Sequence, residues 1–192
     1  MRSPSPAQTP HPLASPLPLA LATASTLLAM GAMAGLGMPP ASLAQASRQA
    51  APPQLLPIGA EWCLDSPSPA PPKCIALEVA ADARQQSWGL QQRSRLPHRR
   101  GMWFPFDTPR PTRFWMHLTP EPLDMLFVGG GRVVAIEANA QPCMRLPCRS
   151  YGPDVPVEGV VELAAGEAQV LGLKVGSGAV IKRLASPQPA SP

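Results

Sequence analysis

Proline decides which part of this chain can fold. Twenty-eight of the 192 residues are proline, and they crowd toward the ends: fifteen lie in residues 1–72, ten in 73–186 and three in the last six. A residue with a fixed φ and no backbone N–H is excluded from helix interiors and central strands. The proline-rich ends are therefore poor material for a packed core. What remains, about 112 residues from Lys73 to Leu184, suffices for one domain and not two. That segment holds all but two of the 16 basic residues and all but two of the 12 acidic ones, hence the whole formal charge of +4. Charged residues make up 15% of the chain and apolar ones 45%, which excludes a disordered or coiled-coil core.

The N-terminus reads as an address. Arg2 is the one charge in the first 16 residues, and Leu17 to Gly37 (LPLALATASTLLAMGAMAGLG) carries none. Pro39-Pro40 and Ala-Ser-Leu-Ala-Gln-Ala follow. A basic start, an apolar stretch and small residues at alternate positions describe a secretory signal peptide, assigned to residues 1–44, with cleavage after Ala44 or Ala46. The rival is a retained anchor, since the stretch is nearly long enough to span a bilayer. Its Ala, Gly, Ser and Thr content is poor for stable insertion, and no positive cluster follows it. No cysteine sits near the cleavage region to be lipidated. The expected protein is exported, periplasmic or extracellular, and meets the membrane through its signal segment alone. Residues 45–57 read as a linker, 58–184 as a single domain and 185–192 as a disordered proline-rich tail.

Cysteine usage agrees with export. An even count in an exported domain reads as disulfides, and four cysteines allow three pairings. The local choice joins Cys63 to Cys74 around LDSPSPAPPK, and Cys143 to Cys148 around MRLP. The rival, one four-thiolate zinc site, lacks the short C-x₂-C knuckle, and exported thiols oxidise.

Ile58 to Leu64 and Cys74 to Ala80 alternate well enough to form a hairpin stapled by the first pair. Asp82 opens a short helix, with Gln85 placed for a capping box and Gly89 helping to end it. Met102–Phe106, Arg113–His117 and Leu123–Val128 are short, aromatic or β-branched, and separated by proline. That pattern favours strands of a sandwich or barrel over βαβ units. Gly129-Gly130-Gly131 reverses the chain into RVVAIEAN. Strands are expected near Tyr151 and over Gly159–Leu163, then a helical turn or two closed by Gly172, then a last strand AVIKR. The fold expected is mostly β, a small sandwich or barrel-like domain with one or two short helices.

The runs GLQQRSRLPHRRGMWFPF, RFWMH–TPEPLDMLFV, GRVVAIEANAQPC, SYGP and ELAAGEAQVLGLKVG stand in an order and spacing that resembles the family called domain of unknown function 192. The likeness spans about Ile75 to Ile181. It implies a compact, mostly β domain, often exported, and no assigned reaction. The family usually carries asparagine before the threonine of its FWM–NT–PLD stretch, and here that position is Leu118. An asparagine supporting a site and one that caps a turn are both open readings of that position.

Several groups invite chemistry. Asp124 stands among Leu123, Met125, Leu126 and Phe127, and on a strand would share a face with Leu126 and Val128. A carboxylate there must be paired or hydrogen-bonded, with Arg93 or Arg113 as partner; a structural link is favoured over a catalytic acid. His117 and Glu121 offer a base and an acid, but no serine or cysteine has a nucleophile elbow around it. Met102, Met116, Met125 and Met144 with His117 suit Cu(I) by ligand type, yet lack a Met-x-x-Met or His-x-Met run, and core filling is preferred. Arg93, Arg95, His98, Arg99 and Arg100 form a basic cluster whose default is a solvated loop. Trp103, Trp115 and Tyr151 invite a sugar-stacking platform, against core packing as the ordinary role of such aromatics. Arg93, Trp115, Met116, Asp124 and Tyr151 are expected to converge in one cavity as a ligand site. The resulting expectation is a monomeric, non-catalytic envelope module without cofactor or metal, meeting a glycan or other small polar or anionic ligand and no nucleic acid. A hydrolase using Asp124 and His117, or weak copper handling, is the alternative.

Overall fold

The computed structural model describes residues 51–64 and 72–189, so the proposed signal segment, most of the first proline loop and the last three residues lie outside the described residues. Nine strands and two short helices follow in the order β1 (Ile58–Cys63), β2 (Cys74–Val79), α1 (Ala83–Trp88), β3 (Arg100–Arg110), β4 (Phe114–Trp115), β5 (Leu123–Gly129), β6 (Arg132–Ala140), β7 (Ser150–Tyr151), β8 (Val157–Ala164), α2 (Glu167–Val170) and β9 (Ile181–Gln188). Seven strands make one sheet in the order β6-β5-β8-β3-β2-β1-β9, while β4 and β7 form a separate ribbon. The expected mostly β, barrel-like domain is what the chain forms.

The sheet curls until its edges nearly meet. The segment before β9 bonds to the start of β6: Val133 N–H donates to the Ser177 carbonyl at 3.0 Å, and Ala179 N–H to that of Gly131 at 2.8 Å. Two cores follow from alternation along the strands. One packs on the concave side: Trp62, Ile75, Leu77, Trp103, Leu126, Val133, Val161 and Leu163. The other contains Met102, Phe104, Met116, Met125, Phe127, Tyr151 and Val160, with Leu90 and Leu96 from the crossover. Gly159 is needed where β8 passes β3, since a Cβ there would run into the Trp103 ring and the Phe104 carbonyl.

Local signals read from the sequence are present in the structure. Asp82 accepts from Gln85 N–H at 2.8 Å while the Gln85 side chain returns to the Asp82 amide, completing the capping box. Gly130 and Gly131 take positive φ, 59° and 66°, in the β5–β6 reversal. Both local disulfides form, Cys63–Cys74 and Cys143–Cys148, and Cys63 lies directly opposite Cys74 in the β1–β2 ladder. Replacing Cys63 and Cys74 by serine is expected to cost about 2–3 kcal/mol by the loop-entropy estimate. Urea unfolding of the double variant measures it, and an unchanged midpoint would show that the ladder alone holds the hairpin.

Three expectations are corrected. The chain does contain a βαβ unit, because β2 and β3 pair in parallel across α1 and the segment that follows it. Short proline-separated strands resemble hairpin strands, and strand composition carries no information on direction. The last strand runs to Gln188, where it pairs with Ile58, so residues 185–188 belong to the sheet and not to a disordered tail. Pro187 is tolerated there because β9 ends the sheet order and a proline can sit on an edge. The supposed linker is also tied down over its described part: Leu56 N–H donates to Glu78 at 2.9 Å, and the Gln54 amide donates to the Gln85 and Gly89 carbonyls, each at 2.9 Å.

Candidate functional site

Strand β8 reads VEGVVELA, and its alternation sets the site. Val161 and Leu163 point into the concave core, so Glu162 faces the other way, with Val160 and Ala164. In register it lies between Met102 of β3 and Met125 of β5, both fully buried. Glu162 itself is 4% exposed. Its carboxyl lines a cavity of about 30 Å³ walled by Gln86, Ser87 and Trp88 of α1, the Gly89–Gln91 turn, Phe104, Phe114, Trp115, His117 and Thr119. Burial between apolar neighbours pushes the Glu162 carboxyl up from 4.5 to about 8. Among the lining residues it is the one carboxyl group, and none is lysine or arginine.

The polar neighbours are largely committed elsewhere. The Gln86 amide donates to the Ala80 and Pro105 carbonyls at 3.2 and 2.8 Å, and the Gln91 amide to that of Ser87 at 2.9 Å. The β4–β7 ribbon sets the other wall. Phe114 pairs with Tyr151 and Trp115 with Ser150, and the His117–Cys143 bridge places the second disulfide beside that wall. Phe114 stands edge-on to Phe104 at 5.0 Å between centroids, and Trp115 lies tilted against His117 at 5.3 Å. Trp115 is 49% exposed. Leu118 holds φ 54°, in the left-handed region, where asparagine is far more at home than leucine. The position the resemblance marks for asparagine is thus one with a backbone reason for it.

The five residues expected to converge do not. Arg93 is paired with Glu78, its two terminal nitrogens each 3.0 Å from a carboxylate oxygen, and it also donates to the Gln54 carbonyl at 2.9 Å. Met116 and Tyr151 are packed in the core around Phe127. Trp115 alone of the five lines the Glu162 cavity. The stacking platform fails for the same reason, since Trp103 belongs to the concave core and Tyr151 to the opposite one.

Asp124 shares its face with Leu126 and Val128 as expected, but neither arginine reaches it. Its Oδ1 accepts from Asn139 N–H at 2.9 Å and its Oδ2 from Ala168 N–H at 3.0 Å, so one carboxylate ties the end of β6 to the first turn of α2. Arg113 pairs instead with Asp154 and donates to the Gly152 and Pro153 carbonyls. Two backbone amides do the work assigned to a guanidinium. Because an amide side chain presents a donor where one oxygen stood, Asp124→Asn is expected to lower stability by about 1–3 kcal/mol. Chemical denaturation measures it; an unchanged stability would remove the structural role.

The remaining candidates separate as well. Asp124 lines a different, open groove with Arg95 and Asn139, so it shares no cavity with His117. Met102, Met116 and Met125 fill the core, while Met144 is half exposed on the disulfide loop. Of the basic cluster, His98 Nδ1 lies 2.7 Å from the Glu167 carboxylate and Arg95 reaches the Ala165 carbonyl. Among the described residues, Glu61, Cys63 and Cys74 are grouped closely enough for a metal, but the two sulfurs are joined to each other. Glu162 is the residue that sequence reasoning passed over. Its signal was the same as that of Asp124, a carboxylate inside an apolar strand.

No helix among the described residues is long and apolar enough to cross a membrane. No curated protein matches the chain significantly. Two solved structures are similar. One is a protein of Sinorhizobium meliloti 1021, provisionally designated a transcription regulator, 30% identical with a TM-score of 0.58, covering 68% of this chain and 97% of its own. The other is a protein of unknown function from Novosphingobium aromaticivorans DSM 12444, 29% identical with a TM-score of 0.55, covering 69% of this chain and 94% of its own. The profile of DUF192, described as Uncharacterized ACR, matches residues 67–181. With the motif order, the sheet and the profile in agreement, the chain belongs to the domain of unknown function 192 family.

Proposed function

We propose that the protein is a non-catalytic ligand-binding module of the cell envelope, and that its site is the Glu162 cavity. One observation carries the reading: a buried carboxyl group faces open space beside a half-exposed tryptophan. Carboxylates that hold a fold together look like Asp124, with each oxygen on a backbone amide. Burial raises Glu162, and among the described residues no cation or donor offsets it. Two disulfides suit an oxidising compartment, which supports export by the apolar N-terminal segment. A cavity of about 30 Å³ has room for about two water-sized groups. It therefore takes one end of a small polar molecule or glycan, not a whole sugar ring. We take the protein to act as a monomer.

The hydrolase reading lacks its pair, because Asp124 commits both oxygens to backbone amides in another part of the fold. Titration of the purified protein with small polar molecules and envelope glycan fragments tests the proposal, read by the indole N–H resonances of Trp88 and Trp115. A saturable shift that Trp115→Ala weakens by about tenfold is expected, without turnover. Turnover of an ester or glycoside that Glu162→Gln abolishes would replace binding with catalysis.

A further inference from the structure

We infer that the Glu162 cavity receives the ammonium group of a small amine, either free in solution or carried on a lipid headgroup. The inference rests on the reading of this cavity as a ligand site and specifies what enters it. The charges that face the cavity decide the sign. Glu162 is acidic, no lysine or arginine lines the walls, and the arginine expected there, Arg93, is bound to Glu78. An anion would meet a carboxyl group with nothing to balance it. A cation meets a carboxyl that, once ionised, has no charged partner among the described residues.

The walls point the same way. Trp88, Phe104, Phe114 and Trp115 all line the space, and aromatic faces attract cations through the ring quadrupole. Such an attraction strengthens where water is excluded, and the carboxyl group stands where burial is nearly complete. A neutral sugar would need several free donors and acceptors. The Gln86 and Gln91 amide N–H groups already serve backbone carbonyls, so they are poorly placed to supply them. Size adds a limit. About 30 Å³ holds an ammonium or N-methyl head, and the remainder of the molecule must lie at the mouth, against the exposed ring of Trp115.

The ligand's cationic head needs an ionised carboxyl, so binding is measured at about pH 8.5 in an amine-free buffer. His117 is the other titratable group in the lining. The probe is n-butylammonium, with 1-butanol as its neutral counterpart of equal length, followed by the Trp88 and Trp115 indole resonances of the full chain. Saturable binding of the amine, at least about tenfold tighter than the alcohol, is expected. Glu162→Gln should lose that preference while the protein stays folded, and Trp115→Ala should weaken the amine. Co-sedimentation with phosphatidylethanolamine vesicles, against phosphatidylcholine vesicles, separates the two sources. Glu162-dependent sedimentation identifies the headgroup, and binding of the free amine without sedimentation identifies a soluble amine. Equal binding of amine and alcohol, or full amine binding by Glu162→Gln, overturns the inference. Glycan binding that Trp115→Ala weakens, with no amine binding, refutes the cation alone and leaves the binding module standing. Silence toward both removes the two together.

Discussion

Between pH 5 and pH 9 the wild-type protein is expected to lose stability that Glu162→Gln keeps, by on the order of 4 kcal/mol. Glu162 sits at about 8 in the folded protein and at 4.5 when unfolded. Below 4.5 both states hold the proton, and the group contributes nothing to pH dependence. Between the two values the unfolded chain releases a proton that the folded one retains, so stability falls as pH rises. Above about 8 both states are ionised and the loss is complete. Glutamine resembles the protonated acid at every pH, so the difference between the two proteins should open across that window and then level off. His117 also lines the cavity and is unchanged in the variant, so the comparison subtracts it. Urea unfolding at intervals of one pH unit measures the divergence, and parallel curves would mean that the carboxyl is not desolvated in solution.

What was legible in the sequence was local. The capping box needs two residues three apart, the hairpin needs consecutive glycines, and each disulfide closes a short loop; all of these are written in a few neighbouring letters. The alternation that puts Asp124 on the face of Leu126 and Val128 is equally local, and the strand keeps it. Partners were not legible. Asp124 meets amides 15 and 44 residues away, from Asn139 and Ala168, and backbone amides carry no residue signature. Arginine attracted the prediction because its charge is visible in the sequence, yet Arg93 found Glu78 and Arg113 found Asp154.

Glu162 shows a different limit. It interrupts GVVELA as plainly as Asp124 interrupts its own strand, so the break in pattern was available. What separates the two is the far side of each carboxylate: backbone amides for one, a cavity for the other. That cavity is built by α1, the Gly89–Gln91 turn and the β4–β7 ribbon, elements brought over β8 by the parallel crossover and by a pairing of two-residue strands. Strands that short have no periodicity to read, and so the site could not be assembled from the sequence although most of its residues lay in the stretch that carried the resemblance.

Arg93→Met is expected to cost about 3–5 kcal/mol. The Glu78–Arg93 pair is bidentate and buried, with side chains 6% and 11% exposed. Removing the guanidinium leaves a carboxylate inside the protein with the Leu56 amide as its remaining bonded donor, and leaves the Gln54 carbonyl without the Arg93 nitrogen. The same loss removes one of the bonds that hold residues 51–57, so limited proteolysis of that segment should accelerate alongside the fall in stability. The decisive comparison is the double variant Glu78→Met, Arg93→Met. A buried ion pair replaced whole by apolar side chains is often near neutral, because the desolvation of both charges disappears with their attraction. If the pair acts as a structural clasp, the double variant should recover most of what the single one loses. A single variant that costs under about 1 kcal/mol would mean that the pair is solvated, as exposed ion pairs are, and that Arg93 is available for the ligand role its sequence position first suggested.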